Sequence, residues 1–243
     1  MGVPRPDGFW GSCDRNNIKN YRTRCSVLIS KGNNNILIDT SPDLRFQLLN
    51  NKIQNITSVL YSHKHADQTH GINDLRIFFL KNKKKINIYA NCVTLTYLKN
   101  NFSYSFKDGF GYPAILKANR LKNYFSLGTN NELIRFKSIK VKHGNINSVG
   151  YIFNNSAYIS DCNKISRSNL TKLKNLKYFI IDCLRYKPHP SHFSLNEVLS
   201  VLETIKPKQT ILTNLHSDLD YNILLQKLPI NVKPAFDGLK IQL

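Results

Sequence analysis

Two histidines and an aspartate stand at alternate positions directly after an apolar run. His63 and His65 are two residues apart, and Asp67 follows two residues later. Side chains two apart in an extended chain point to the same side, so both imidazoles can reach one cation. Imidazole nitrogens combined with a carboxylate suit Zn²⁺, Mn²⁺ or iron better than ions that prefer only oxygen ligands. The spacing therefore predicts a metal site, and the alternative is a polar turn with exposed histidines.

The remaining histidines have the same kind of placement. Each of the seven histidines follows an apolar run or lies in a turn, and none lies within a run. Residues just beyond the ends of strands line the ligand crevice of open α/β proteins. The placement therefore predicts one functional site. The seven are His63, His65, His70, His143, His189, His192 and His216.

Apolar runs bounded by turn signals predict a chain that mixes strands and helices. Residues 26–30 and 35–40 are expected to form a hairpin, and residues 42–49 a helix with Ser41 as its N-cap. Residues 102–125 are predicted to be the least regular part. Further strands are expected at 58–62, 86–90, 133–142, 150–153, 156–160, 178–184 and 209–215, and helices at 72–80, 168–173 and 194–205. Since no repeat or linker divides the chain, one α/β domain is expected over residues 1–243.

The composition limits the classes of protein to consider. The 243 residues include 35 Lys and Arg against 15 Asp and Glu, a formal net charge of +20. That excess suggests a nucleic-acid partner, but the abundance of lysine, asparagine and isoleucine is typical of AT-rich coding DNA, which weakens the inference. The sequence has no run long enough to span a membrane and no signal-peptide core at its start. The five cysteines form no Cys-x-x-Cys pair, so we expect reduced thiols in a cytoplasmic protein.

The segment at residues 63–67 resembles the His-x-His-x-Asp-His signature of the metallo-β-lactamase superfamily. His143, Asp161 and His216 follow later apolar runs in the order that the superfamily shows. The resemblance implies an α/β protein with the four-layer αββα fold, in which two β-sheets pack face to face with helices outside. Residues 2–5, 10–14, 182–186, 189–194 and 216–221 are most similar to the branch that includes phosphoribosyl cyclic phosphodiesterase. That branch usually has a strand and a glycine-rich turn before the segment matching residues 2–5, so either the start codon is misassigned or the first strand is missing.

The resemblance also implies the cofactors, two divalent metal ions of the zinc or manganese type. One ion would be held by His63, His65 and His143. Asp161 would bridge to a second ion, whose further ligands would be Asp67, the residue at position 68 and a late ligand from position 214 or 216, for which His216 is the candidate. Two such ions bind phosphoryl oxygens and activate a water for an in-line displacement.

The catalytic residues implied by the resemblance are Asp67 and His192. His192 lies outside the ligand set and matches a histidine near the leaving group, where it would act as a general acid or bind phosphate. A turn histidine beside the next helix is the alternative. Arg76 and Arg185 either bind phosphate or form structural ion pairs, and Asp39 either caps a turn or orients a ligand.

Two positions depart from the superfamily pattern. Gln68 stands where the signature has a histidine, and Asn214 stands where relatives often have one. A neutral amide oxygen is a poor ligand for a borderline-soft cation. If both positions should supply ligands, the second metal site is lost while the first remains whole.

Three functions are compatible with these residues. The leading hypothesis is a metal-dependent hydrolase, a phosphodiesterase acting on a small cyclic or nucleotide-like phosphodiester through a metal-activated water. An RNA-processing nuclease of the same superfamily is the second, motivated by the net charge. A non-catalytic binding protein is the third, motivated by Gln68 and Asn214. A nucleic-acid partner is not favoured, no membrane partner is expected, and a homodimer is left open.

Overall fold

The computed structural model describes residues 2–109, 111–128 and 130–243. Its main-chain contacts divide the chain into two compact units. The first unit is Arg24–Phe136, and the second combines Met1–Thr23 with Lys137–Leu243. Each unit has its own apolar core beside mixed strands and helices, which confirms the α/β class.

The first unit is built on a five-stranded sheet. Its strands are β1 (Val27–Lys31), β2 (Asn34–Ile38), β3 (Ser58–Leu60), β4 (Ile86–Ala90) and β5 (Leu116–Arg120), and a further strand is β6 (Tyr124–Leu127). Its helices are α1 (Leu44–Asn50), α2 (Ala66–Thr69), α3 (Arg76–Asn82) and α4 (Cys92–Asn101), with 3₁₀ turns at Ile72–Leu75, Ser103–Ser105 and Asn130–Glu132. The sheet order is β1-β2-β3-β4-β5. The β1–β2 hairpin is antiparallel and the other pairs are parallel.

The parallel pairing of β2 with β3 places candidate residues side by side. Ile38 is opposite Leu60 in the register, so the residues that follow the two strands emerge at the same edge. Asp39 follows β2, and the segment leading to His63 follows β3. Strand ends of this kind are where open α/β sheets carry their ligand sites.

The second unit is built on a sheet whose middle strands are parallel. Its strands are β7 (Ile134–His143), which enters this unit at Lys137, β8 (Ile146–Phe153), β9 (Ser156–Ile159), β10 (Tyr178–Asp182), β11 (Gln209–Thr213) and β12 (Val232–Pro234). Its helices are α5 (Arg167–Lys172), α6 (Leu195–Ile205) and α7 (Tyr221–Lys227), with a 3₁₀ turn at Ile18–Asn20. The strand order is β12-β11-β10-β9-β8-β7.

Three polar residues mark the ends of the parallel strands in the second unit. Strands β9 to β12 run parallel, and β8 pairs antiparallel with β9. Asp161 comes shortly after β9, Asp182 is the last residue of β10, and Asn214 follows β11. Because neighbouring parallel strands end at the same edge, these three side chains are brought close together.

Most predicted elements are confirmed, with shifted ends. Helix α1 begins at Leu44 rather than at residue 42, because Asp43 is its N-cap and the Asp43 N–H donates to Ser41 Oγ at 3.0 Å. Residues 102–125, predicted to be the least regular part, contain a 3₁₀ turn, β5 and the first half of β6. Within the described residues, no helix is both long and apolar enough to cross a bilayer.

We predict that the β10 strand is a main source of stability in the second unit. Ile181 is fully buried, so Ile181→Ala removes well-packed methyl groups and leaves a cavity, at a cost of about 2–5 kcal/mol in the free energy of unfolding. Ile230 is 97% exposed, and Ile230→Ala is expected to change that free energy by less than about 0.5 kcal/mol. Urea unfolding followed by circular dichroism measures both variants. Equal costs for the two substitutions would contradict the described core.

Candidate functional site

The two histidines of the motif lie close together in the first unit. His63 is buried and His65 is exposed, and their ring centroids are 4.6 Å apart. His65 has φ −63° and ψ 155°, the extended conformation that the spacing predicts. Asp67 follows, half-buried, in the first turn of α2. The motif therefore forms a short extended segment that ends in a helical turn.

Asp39 accepts a hydrogen bond from the backbone of the residue before His63. It is fully buried with a φ of +64°, and its Oδ1 accepts the Ser62 N–H at 2.7 Å. Ser62 Oγ in turn lies 3.0 Å from His63 Nδ1. Of the two roles considered for Asp39, the geometry favours the orientation of a candidate ligand.

Gln68 is completely buried and its side chain contacts a cysteine. Its Nε2 donates to Cys25 Sγ at 3.6 Å, and its main-chain oxygen accepts the Thr40 N–H at 2.8 Å. The nearby His70 packs within the same unit, with Nε2 3.1 Å from Tyr97 Oη and its ring 5.5 Å from that of Phe102. Gln68 thus occupies the signature's histidine position as an ordered core side chain.

In the second unit, His143 ends β7 with a defined tautomer. Its Nδ1 lies 2.7 Å from the carbonyl oxygen of Ser191. Because a carbonyl only accepts hydrogen bonds, Nδ1 carries the proton in the neutral ring and Nε2 keeps the lone pair. Nε2 is 3.9 Å from Asp161 Oδ1, and both side chains are buried. A backbone carbonyl bound to the other ring nitrogen is the usual partner of a metal-ligating histidine.

His192 approaches the same carboxylate. Its Nε2 is 3.8 Å from Asp161 Oδ1, and His143, Asp161 and His192 each offer a ligand atom within 4.8 Å of the others. Metal bonds of 2.0–2.1 Å in a tetrahedral site hold ligand atoms about 3.3 Å apart. The two measured distances exceed that spacing by about half an ångström. The donor set and spacing of this buried group therefore fit a divalent cation after small side-chain movements.

Asp182 holds His192 from its other side. The Asp182 carboxylate is fully buried, and its Oδ2 accepts from His192 Nδ1 and from the Cys162 N–H, both at 2.8 Å. Burial opposes protonation of His192, but the hydrogen bond to Asp182 and the charges of Asp182 and Asp161 raise its pKa above the usual value. Sequence reasoning gave Asp182 no role. Its position at the end of an apolar strand, like the candidate ligands, was a usable signal.

Asn214 belongs to this network. Its Nδ2 donates to Asp182 Oδ1 at 3.2 Å, and its φ is +61°, a conformation that asparagine tolerates better than most residues. The amide therefore supports a buried carboxylate. This gives the residue a defined function in addition to its departure from the superfamily pattern.

His216 is half-buried and lies beside Asp218. Its Nδ1 lies 3.2 Å from Asp218 Oδ1. Among the described residues, the groups of ligand atoms within 4.8 Å of one another do not include His216. The predicted role of His216 as a metal ligand stays a prediction.

A cavity of about 570 Å³ lies beside His216 in the second unit. Arg185 donates to the carbonyl oxygens of Lys187 and Pro188 at 3.1 and 2.6 Å, and Lys227 Nζ lies 5.3 Å from the Tyr186 ring centroid. The cavity is lined by Ser12, Arg185, Tyr186, Lys187, His216, Asp218, Asp220, Ile223 and Lys227.

The second predicted phosphate-binding arginine, Arg76, lies in the first unit. Its guanidinium is 5.2 Å from the ring centroid of Tyr112. All five cysteines are described and free of disulfides. Burial raises the pKa of the Cys162 and Cys183 thiols well above the usual value, so both act as apolar core residues.

Comparison with known proteins identifies the family. The model of the "Beta-lactamase superfamily domain" matches residues 34–214. The chain therefore belongs to the metallo-β-lactamase superfamily, whose members are metal-dependent hydrolases. The fold implied by the resemblance is confirmed as the metallo-β-lactamase fold, with two mixed sheets and helices.

Three relatives are similar over most of this chain. A solved structure described as a new diphosphatase from the PhnP family is 30% identical, with a TM-score of 0.88, covering 100% of this chain and 93% of that one. An octanoyltransferase of Porphyromonas gingivalis is 28% identical over 98% of this chain and 49% of its own length. The anti-Pycsar protein Apyc1 of Paenibacillus harenae is 26% identical over 80% of each. The chain thus spans about half the length of the octanoyltransferase.

We predict that Asp182 stabilises the folded protein more than any exposed carboxylate does, because three hydrogen-bond donors depend on it. Asp182→Ala leaves His192, Cys162 and Asn214 without their acceptor and is expected to lower the free energy of unfolding by about 3–5 kcal/mol. Asp182→Asn is expected to cost less, because one oxygen remains and the Asn214 amide can turn over.

Asp218→Ala is the matched control, since Asp218 also lies against a histidine Nδ1 and accepts a backbone N–H, but its side chain is 36% exposed. It is expected to cost about 1 kcal/mol or less. Chemical denaturation measures all three variants. An Asp182→Ala cost no larger than the control's would contradict the importance of this network.

Proposed function

We propose that this protein is a metal-dependent phosphodiesterase that hydrolyses small cyclic or nucleotide-like phosphodiesters. The observation that carries the proposal is the buried pair of candidate ligands His143 and Asp161, whose Nε2 and Oδ1 atoms are 3.9 Å apart, with Nε2 of the proposed catalytic residue His192 lying 3.8 Å from the same oxygen. Nitrogen and carboxylate donors at this spacing suit a zinc or manganese ion. Membership of a superfamily of metal-dependent hydrolases supports the same conclusion.

The metal ligands are proposed from the motif resemblance. They are His63, His65 and Asp67 in the first unit, and His143, Asp161 and His216 in the second. When bound, the ions would bind phosphoryl oxygens and lower the pKa of a water nucleophile. Asp39 and the Ser191 carbonyl contribute by fixing the segments that carry His63 and His143.

His192 and Asp67 are proposed as the catalytic residues of the chain. The His192 Nδ1–H is committed to Asp182, so Nε2 is the nitrogen that exchanges a proton with the leaving-group oxygen. The His192 side chain is 14% exposed, which gives it access to a bound substrate. The half-buried Asp67 carboxylate would accept a hydrogen bond from the attacking water and orient it.

The charges around the cavity in the second unit support an anionic substrate. The Asp220 carboxylate accepts hydrogen bonds from the backbone N–H groups of Asp14 and Ile223. The Asp218 carboxylate contacts His216 and accepts the Tyr186 N–H. In the described part of the chain, the cavity's cations have no carboxylate within 4.0 Å. These cations are Arg185, Lys187 and Lys227. Uncompensated positive charge in a cavity raises the local concentration of phosphate-bearing ligands.

The relatives support only the chemistry that they share with this chain. The octanoyltransferase is about twice as long as this chain, so its activity is not transferred. Diphosphatase describes the solved relative, and cleavage of a phosphate ester or anhydride is the shared chemistry that we propose. We also propose a cytoplasmic location, from the free cysteines and the absence of a spanning helix among the described residues.

We predict that hydrolysis requires His63 but does not require His70. His63→Ala removes a proposed ligand, so the rate of bis(p-nitrophenyl) phosphate hydrolysis is expected to fall by about 100-fold or more, since metal-based charge stabilisation is worth several kcal/mol. His70→Ala, seven residues along the same segment, is expected to retain the wild-type rate within about twofold, because the exposed His70 side chain contacts Tyr97 and Phe102 and is not among the proposed ligands.

Metal content by plasma mass spectrometry accompanies each rate, and thermal unfolding confirms that each variant is folded. A wild-type protein that binds no zinc or manganese would overturn the proposal. A folded His63→Ala variant with the wild-type rate would also overturn it.

We predict that Gln68 reduces the number of bound ions. Gln68→His places an imidazole at the signature position and is expected to add one metal ion per chain, because nitrogen binds zinc-type ions better than an amide oxygen does. Gln54→His, which adds an exposed histidine, is the control and is expected to leave the number unchanged. Equilibrium dialysis against Zn²⁺ followed by elemental analysis gives the count. Two ions already bound by the wild type would show that Gln68 does not impair the site.

A further inference from the structure

The loop at residues 216–220 has no regular secondary structure, although it carries the proposed ligand His216. It lies between β11 and α7, and its own sheet-side contact is the His216 N–H, which donates to the Leu184 carbonyl at 2.9 Å. Irregular segments hold a fixed geometry only where other groups form hydrogen bonds with their backbone N–H and C=O groups. The partners of this loop therefore determine where His216 lies.

Most of these partners come from residues 11–22, which we call the clamp segment. The Ser12 N–H donates to the Ser217 carbonyl at 2.8 Å, and Cys13 Sγ lies 3.4 Å from the same oxygen. Gly11 has a φ of +59°, and a Cβ there would lie 2.4 Å from the Ser217 oxygen. The close approach of the two backbones thus requires glycine at this position.

Arg22 makes the widest set of contacts between the clamp segment and the loop. It is only 6% exposed, and Nη2 donates to the Leu219 carbonyl at 2.7 Å while Nη1 donates to the His216 carbonyl at 3.3 Å. Nη2 also donates to Asn20 Oδ1 at 3.1 Å. Burial lowers the pKa of Arg22, and the hydrogen bonds to the loop offset part of the desolvation cost. A planar guanidinium can hold two carbonyls at fixed directions, which a lysine cannot do.

Asn20 and Asp220 close the network at the other end of the loop. Asn20 Nδ2 donates to Asp220 Oδ2 at 2.6 Å, and Asn20 Oδ1 accepts the Tyr221 N–H at 2.8 Å. Asp220 is the N-cap of α7 and accepts the Ile223 N–H at 3.0 Å. The clamp segment therefore fixes the start of α7 as well as the carbonyls of His216 and Leu219.

We infer that Arg22 is a positioning residue that holds His216 in its functional place through the clamp segment. The inference rests on the proposed function, because it takes His216 to be a metal ligand. Arg22 touches neither metal nor substrate in this account. Its effect is to limit the positions of the loop backbone, as outer partners of metal ligands do, and their loss typically costs 10–100-fold in metal affinity.

The test compares Arg22→Gln with Arg5→Gln. Arg5 lies in the same N-terminal stretch, but its guanidinium packs over the Phe9 ring at 4.4 Å, and within the described part of the chain it forms no hydrogen bond with the loop. Hydrogen exchange of the metal-free protein is expected to be at least about tenfold faster in Arg22→Gln at the amides of His216, Leu219 and Tyr221, with β10 unchanged. Arg5→Gln is expected to exchange as the wild type does. Unchanged exchange at the loop in Arg22→Gln would overturn the inference.

Zinc affinity, measured by competition with a chromophoric chelator, provides the second arm. Arg22→Gln is expected to bind Zn²⁺ about 10–100-fold more weakly than the wild type. The double variant His216→Ala/Arg22→Gln is expected to bind Zn²⁺ no more weakly than His216→Ala alone. Fully additive losses would mean that Arg22 does not act through His216 and would overturn the inference. If Arg22→Gln does not fold, Arg22→Lys keeps the charge and gives the same comparison.

Failure of the proposed function is distinguishable from failure of this inference. A wild-type chain without zinc affinity would refute the metal centre while the exchange experiment still decided whether Arg22 fixes the loop. Faster exchange in Arg22→Gln with wild-type zinc affinity would leave the metal centre intact and refute the positioning role.

Discussion

The Asp182 carboxylate is fully buried at the end of β10, and the arrangement around it depends on how that buried charge is satisfied. A carboxylate removed from water is tolerated when hydrogen-bond donors replace the lost hydration. Here the donors are a backbone N–H of Cys162, the His192 imidazole and the Asn214 amide. Each donor comes from a different part of the second unit, so one carboxylate fixes the relative positions of three loops. The orientation of His192 towards Asp161 is a consequence of that constraint.

The same principle recurs where candidate ligands lie at or beyond the ends of strands. Asp39 accepts the N–H in front of His63, the Ser191 carbonyl accepts the Nδ1–H of His143, and Arg22 donates to the carbonyl of His216. The regular hydrogen bonding of the sheets stops at these positions. Buried polar groups from elsewhere in the unit therefore complete the hydrogen bonding. The buried polar groups that complete this hydrogen bonding are therefore the same groups that hold the candidate ligands in position.

The sequence predicts the elements better than it predicts this polar framework. Alternating apolar runs identify strands such as β4 and β10, and the His-x-His spacing identifies His63 and His65, because both signals depend on local periodicity. Helix α4 is missed, although Asn91 caps it through the Thr94 N–H at 2.9 Å, because its threonines, asparagines and β-branched residues have weak helix propensity. The roles of Asp182, Asn214 and Arg22 depend on contacts between distant positions. Arg22 reaches Leu219 from 197 residues away, and no local pattern encodes such a pair.

Gln68 shows why a departure from a motif has to be interpreted in its surroundings. A solvated turn residue could be exchanged without structural consequence, but Gln68 is fully buried in α2, with its amide against Cys25 and its carbonyl bonded to Thr40. A buried amide needs hydrogen-bond partners, and a thiol is a weak one. The packing therefore gives Gln68 a defined place in the core without making it a good metal ligand. Asn214 donates to Asp182, whereas Gln68 replaces the imidazole of the signature with an amide, so position 68 is where this chain departs most directly from the chemistry of the two-metal pattern.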